Sequence, residues 1–380
     1  MVSKNCLSDR ADSRGCATEV LVELFLLDKG DFANSIDGTW LEALFMDGVM
    51  DGVAVGVVSA ASRLPSHKHA IAELFQVEGV DLTEEIISRL GVDEVPLCNG
   101  ESGSDLAVAA AREALERAGI AGSEVNVVVD YTILPQEYMV PVWNMSGKVQ
   151  HEVGAESAFT IGFSGGGSSN FLVALNFAAA MLAADEKMKN ALLVAADVTI
   201  PGNRVLNPSA PVSVLGDGAS AVVLQRGATA HCVLDTELCS DGSNHDVYCI
   251  PGGCLANPED PSLYRLVLDK ARYDAAPKTE TLLRLAQRVL DRASLGLEDI
   301  KRVVYTNVSA EDQAAFQQTF GLGPERMCTS NLAGHGHLQG TDLVLNYLST
   351  LEDSSLLPGD PVLICSHGMG FMAGVSLIEV

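Results

Sequence analysis

Residues 114–132, "ALERAGIAGSEVNVVVDYT", can be laid without a gap on residues 289–307, "VLDRASLGLEDIKRVVYTN", at an offset of 175 positions. Leu115, Arg117 and Ala118 fall on Leu290, Arg292 and Ala293, Val125 falls on Ile300, and Val128 and Val129 fall on Val303 and Val304. Each copy reads as an amphipathic helix, a short acidic turn and a buried strand. Both copies then continue alike, "ALLVAADV" and "GASAVVL" in the first, "PVLICSHG" and "MAGVSLI" in the second. Self-similarity in order and spacing is the mark of a duplicated unit. Strands alternating with helices make the class α/β. Two similar halves, residues 53–226 and 227–380, are expected to pack their sheets around a shared core with a cleft between them. Residues 1–52 mix acids with bulky apolar residues without a period and are set apart as an N-terminal extension of unknown role.

Bulk properties narrow the functions open to such a chain. Of its 380 residues, 47% are hydrophobic, enough for a large core. A formal net charge of −26 and no basic run of five argue against nucleic acid as a partner. Nine cysteines without CxxC or metal-ligand spacing suit a reduced, cytoplasmic protein better than a disulfide framework. The N-terminus lacks the apolar core of a signal peptide, and no charge-free apolar run is expected to reach the length of a membrane span.

The chemistry concentrates in "GFSGGGSSN", residues 162–170, between the strand "ESAFTIGF" and the apolar helix "NFLVALNFAAAML". The loop delivers the positive end of a helix, which favours a developing negative charge. A phosphate loop of the Walker type would need a lysine after the glycines, and none is present. "GFSGG" fits G-x-S-x-G, a nucleophile elbow that would make Ser164 the nucleophile, although such an elbow does not predict a duplicated chain. Tight glycine packing, with the serines merely capping, is the structural alternative.

Three further stretches carry a resemblance: "VLGDGASAVVLQ", the C-terminal "GMGFMAGVSLIEV" and "DLAVAAAREALERAGI". In this order and spacing they resemble the thiolase-fold condensing enzymes, specifically the ketoacyl-ACP synthase III family, over about residues 53–380. The resemblance implies a thiolase-like fold, a duplicated five-layered α-β-α-β-α arrangement, a homodimer, no metal and no cofactor beyond the acyl-thioester donor. The family's nucleophilic Cys starts the buried central helix. Counting back from the Ala174-Leu175 pair lands on Ser168, with Ser164 and Ser169 as neighbouring alternatives. The family's His follows a strand resembling "RRVVYTN"-type segments; here "VVYTN" puts Thr306 there, with Asn307 beside it. The family's Asn lies in a glycine loop after the next helix, and the matching residue in "NLAGHGHLQGTD" is His337. His335, His367 and the backbone of Gly370 flank the same glycine loops, Gly370 as an oxyanion donor.

A serine nucleophile needs a neighbouring base, and His337 can supply it. Ser168 is therefore expected at the floor of a tunnel between the halves, within reach of His337. Loss of the family's His should weaken decarboxylative carbon–carbon bond formation and leave acyl transfer feasible. The expected activity is that of an acyltransferase of specialised metabolism, polyketide biosynthesis included. It would move an acyl group from CoA or carrier-protein phosphopantetheine through an acyl-serine to a small-molecule acceptor. Carbon–carbon condensation with unusual residues, and a silent homologue serving as partner subunit, stay open as alternatives. The segment matching the family's Arg-rich CoA stretch reads "LGVDEVPLCNG", acidic and apolar; Arg204, Lys148 and Arg63 are the basic residues offered for a carrier by position.

Overall fold

In "NALLVAAD" the side chains alternate between two cores: Ala191, Leu193 and Ala195 enter one, Leu192, Val194 and Ala196 the other. A strand buried on both faces belongs inside a layered α/β fold. The structure is a computed structural model that describes residues 53–138, 143–200, 202–252, 257, 259–368 and 371–380. The extension expected at 1–52 lies outside the described residues.

The strands of the main sheet are numbered β1 (Val55–Arg63), β2 (Val125–Asp130), β3 (Phe159–Gly162), β4 (Asn190–Asp197), β5 (Gly218–Arg226), β6 (Cys232–Ser240), β7 (Arg302–Tyr305), β8 (Pro361–His367) and β9 (Met372–Glu379). Their spatial order is β7-β8-β9-β6-β1-β5-β4-β2-β3. Pairing is mirrored about the middle. β2 with β4 and β7 with β8 are parallel. β4 with β5 and β8 with β9 are antiparallel. So are β5 with β1 and β9 with β6. The two sets meet at one registered pair, Gly56 opposite Cys232. β3 extends only the first set.

Helices complete the layers: α1 (Gly103–Ala118), α2 (Met145–Glu152), α3 (Asn170–Ala184), α4 (Lys278–Ala293), α5 (Ala310–Phe320), α6 (Ser330–His335) and α7 (Thr341–Leu351). α1 and α2 cover the outer face of the first strand set. α4 and α5 cover the outer face of the second. α3 and α7 lie in the core the sets share. This is the five-layered thiolase-like α/β arrangement. α1 and α4 start and end 175 residues apart, at Gly103 and Lys278 and at Ala118 and Ala293, the same offset as the repeat. The α1 cap is Ser102, whose hydroxyl accepts from the Asp105 amide at 3.1 Å. Gly119 closes the helix in the left-handed region, φ 66°.

The central helix corrects one expectation. Gly167–Ala184 is 18 residues long and apolar enough to cross a membrane by length and composition. Its burial explains the composition: Leu172, Leu175 and Leu182 are fully buried and pack between the strand sets. Burying each such leucine contributes about 1.5–3 kcal/mol. A helix enclosed on most sides needs apolar residues all round.

Candidate active site

β3 ends at Gly162, and a 3₁₀ turn, Gly167–Ser169, leads straight into α3. Gly165 and Gly167 have φ of 93° and 54°, left-handed backbone that side chains resist. The Gly166 amide donates to Asn170 Oδ1 at 2.9 Å, closing the loop on the first residue of α3. Ser169 Oγ donates to the carbonyls of Ser366 at 3.0 Å and Met372 at 3.2 Å, tying the loop to β8 and β9. Ser169 is thereby occupied structurally. The geometry turns Ser168 elsewhere, toward the helix α7 side of the shared core.

His337 lies on the turn between α6 and α7. Its amide donates to the Val214 carbonyl at 2.9 Å, and its carbonyl accepts from Gly216 at 3.1 Å. Its Nε2 lies 3.4 Å from Ser168 Oγ, with both residues buried. Its Nδ1 lies 2.5 Å from Asp342 Oδ2. Asp342, in the first turn of α7, is held in turn. Leu338 donates its amide to Oδ1 at 2.7 Å, and Asn307 donates its amide to Oδ2 at 2.7 Å. A carboxylate only accepts, so the imidazole proton belongs on Nδ1. Nε2 then offers a lone pair to the serine hydroxyl. The separation of 3.4 Å is long for a hydrogen bond, as serine–base contacts often are before substrate is bound. Serine, imidazole and carboxylate are in the order that makes a serine hydroxyl nucleophilic.

The structure thus brings together Ser168 and His337, expected from the sequence, with Asp342, which the sequence reading missed. The signal was present as a carboxylate five residues after the histidine, opening an apolar helix. An acid in a first helical turn is ordinarily read as dipole stabilisation, which hid it.

Of the remaining expected residues that the structure describes, only Asn307 touches this run, through its backbone amide. Ser164 is exposed and lines a cavity of about 670 Å³ with residues 132–134, Phe163, Tyr248 and Leu266. Asn307 contributes its amide to Asp342, while its side chain accepts from Gln313 at 3.0 Å and Asn346 at 2.9 Å. The Asn307 side chain is taken up by this amide network. Thr306 is fully buried, and its hydroxyl has no partner among the described residues. His335 has Nδ1 2.9 Å from the Asn331 carbonyl within its own helix, and burial pushes its pKa down. His367 has Nε2 3.3 Å from Asp312 and belongs to a separate group of three, in which Tyr305 donates its hydroxyl to the same carboxylate at 2.8 Å. Gly370 lies outside the described residues. Ser168 keeps only 3% of its surface. The basic residues offered for a carrier are already paired: Arg204 with buried Asp217, Lys148 with Asp105 and Arg63 with Glu113. Among the described residues no group of three His, Cys, Asp or Glu side chains could hold a metal.

Comparison with known proteins agrees with this fold. The family model for 3-oxoacyl-[acyl-carrier-protein (ACP)] synthase III matches residues 165–242, and the model for its C-terminal part matches residues 290–380. A beta-ketoacyl-[acyl-carrier-protein] synthase III from Paramagnetospirillum magneticum is 28% identical over 333 residues, covering 85% of this chain and 98% of its own. The crystal structure of 3-oxoacyl-(acyl carrier protein) synthase III from Pseudomonas aeruginosa PAO1 superposes with a TM-score of 0.73 at 25% identity, covering 86% of this chain and 98% of its own. The priming β-ketosynthase of the R1128 polyketide pathway gives a TM-score of 0.74 at 22% identity, covering 86% and 96%. Enzymes of this family are acyl-transferring transferases that use acyl-CoA or carrier-bound substrates. In its fold and in both family-model matches the chain is similar to the thiolase-fold, ketoacyl-ACP synthase III-like condensing enzymes.

Proposed function

We propose that the protein is an acyltransferase of specialised metabolism working through an acyl-serine. The observation that carries this reading is the buried run Ser168–His337–Asp342. Ser168 Oγ attacks the carbonyl carbon of an acyl thioester and its proton passes to His337 Nε2. The carbon–sulfur bond breaks and the thiolate leaves, taking the proton from the imidazolium. In the second half-reaction an alcohol or amine acceptor attacks the ester. Its proton goes to Nε2 and then to the departing Ser168 Oγ. Asp342 holds the tautomer and stabilises the imidazolium. The backbone amides at the start of α3 would face the oxyanion.

The reading takes residues 53–226 and 227–380 as two copies of one unit. The cavity of about 670 Å³ beside Ser164 suits the acyl chain or the acceptor. A cleft of about 280 Å³ bordered by Val308 and Ser309, just beyond Asn307, suits the donor. Arg89, Lys270 and Lys278 face it with Asp274, Glu280 and Glu311, a mixture compatible with CoA or a carrier's phosphopantetheine. The six described cysteines are free, which suits a cytoplasmic protein.

A second reading, carbon–carbon condensation, draws on the buried and unpartnered Thr306 hydroxyl at the position of the family's histidine. One neutral hydroxyl is a weaker oxyanion partner than an imidazole. Thiol release from an acyl thioester, followed on the millisecond scale, separates the readings. Acyl transfer predicts a burst of about one thiol per chain without malonyl donor, then turnover only with an acceptor nucleophile. Product formed solely with a malonyl thioester would support condensation instead.

The homodimer is read as forming along β3. This strand ends the sheet, and Phe159 on it is 53% exposed. An unpaired edge with an apolar side chain invites another strand, and a lysine there discourages one. Phe159→Lys should turn a dimer into a monomer in light scattering after gel filtration. A variant that stays dimeric would put the interface elsewhere.

A further inference from the structure

Asp197 ends β4 and is fully buried. Its Oδ1 accepts the amides of Ile133 at 2.9 Å and Leu134 at 2.7 Å. Its Oδ2 accepts the amide of Gly340 at 3.0 Å. No cation lies in ion-pair range of it among the described residues. Ile133 and Leu134 belong to the wall of the large cavity. Gly340 lies in the turn between His337 and Asp342, three residues after one and two before the other. One carboxylate therefore joins the cavity wall to the turn that carries the imidazole and its partner.

A buried carboxylate without a cation is costly, so its persistence requires every bond it accepts to be well made. Burial pushes Asp197 up to about 6, while the Leu134, Gly340 and Ile133 amides act against that rise and nearby Asp130 adds to it. Gly340 gives a second, independent sign of a fitted contact. Its φ of −62° and ψ of −21° are ordinary for any residue. A Cβ there would nevertheless meet Asp197 Oδ2 at 3.2 Å, Ala195 Cβ at 3.3 Å and Tyr131 Cδ2 at 3.3 Å. Close approach to the carboxylate, and not backbone strain, is what a side chain at 340 would disturb.

We infer that Asp197 is a positioning residue: it pins the turn bearing His337 and Asp342 to residues 132–134, so that the imidazole stays in line with Ser168. It acts through Gly340 and touches no reacting atom. An occupant pressing on residues 132–134 is felt at His337 through the same carboxylate, which makes Asp197 the link between the filling of the cavity and the reactivity of the serine. The inference rests on the acyl-serine reading for its catalytic meaning, but its structural core is measurable without it.

Two variants loosen the link from opposite sides. In Asp197→Asn one oxygen still accepts from residues 133 and 134, while an NH₂ faces the Gly340 amide, donor against donor. Gly340→Ala keeps Asp197 and pushes a methyl against it, so it remains informative if the first variant does not fold. The first readout is the proton on His337 Nδ1, bonded to Asp342, observed by NMR as a downfield exchange-protected resonance and assigned by its loss in His337→Ala. The second is labelling of Ser168 by an alkyl fluorophosphonate, in which Oγ bonds to phosphorus, fluoride leaves and the proton passes to His337. In both variants the resonance should shift or broaden, and labelling should slow by about 100-fold, the scale of a misplacement near 1 Å. Circular dichroism should stay native-like. A folded variant with an unchanged resonance and a labelling rate within twofold of wild type would overturn the positioning role. Wild type that resists the probe, alongside a resonance that still moves in the variants, would count against the acyl-serine reading and leave the positioning role standing.

Discussion

Ser168→Ala should leave a folded protein on which no acyl adduct accumulates, with transfer reduced to the background of the acyl thioester in water. The substitution removes one oxygen from a buried site and makes no large cavity. It does leave His337 Nε2 without its 3.4 Å partner, at a cost of about 1–3 kcal/mol for an unsatisfied buried group. A domain of this size tolerates that loss. No neighbouring serine replaces the missing hydroxyl. Ser169 donates to two carbonyls of the opposite half, and Ser164 is on an exposed cavity wall. Ser168→Cys should behave differently. A thiol ionises more readily than an alcohol and depends less on a base, so the Cys variant should acylate even with His337→Ala. Acyl-enzyme in Ser168→Ala, measured as a mass increase on the intact chain, would assign the nucleophile elsewhere.

Asp342→Asn should slow acylation by about 10⁴-fold while preserving the fold, the scale found when a triad carboxylate becomes an amide. The reason is tautomeric. Asp342 Oδ2 faces His337 Nδ1, and Oδ1 accepts the Leu338 amide at 2.7 Å. In the amide, Oδ1 can keep the Leu338 bond, which leaves the NH₂ facing His337 and the Asn307 amide. The imidazole must then place its proton on Nε2, where it faces the hydroxyl it is meant to deprotonate. His337→Ala, which removes the base, should cost about 10²–10⁴-fold. Single-turnover acylation with thiol release as readout measures both. An Asp342→Asn rate within tenfold of wild type would refute the orienting role.

The repeat made most of the architecture legible. Equal offsets of helix and strand in two places demand two equivalent environments, and α1 and α4 occupy them. The nearly all-round apolarity of residues 171–183 likewise placed α3 at the centre, where most of it is buried while Asn176 and Ala180 stay exposed. The family resemblance led to His337, because the residue coincides with a position that carries chemistry in similar chains. Asp342 escaped for a physical reason: its role depends on the turn at residues 338–340, where Gln339 adopts φ 56° and folds the carboxylate back onto the imidazole. Spacing along a chain does not reveal such a reversal. Asp197 was equally silent, since it acts through three backbone amides and backbone carries no sequence signal. Arg204 shows the opposite error. A lone arginine looked available to a carrier, yet it is consumed by Asp217, 13 positions on.

The acyl-serine itself is open to one direct observation. Wild-type protein is incubated with acyl thioesters of graded chain length, quenched in acid, weighed intact, digested and sequenced by tandem mass spectrometry. The account predicts one acyl group per chain, on the peptide that contains residues 162–170, with fragment ions placing it on Ser168 and hydroxylamine removing it. An unmodified chain across the whole panel, with acceptor turnover undiminished in Ser168→Ala, would contradict it.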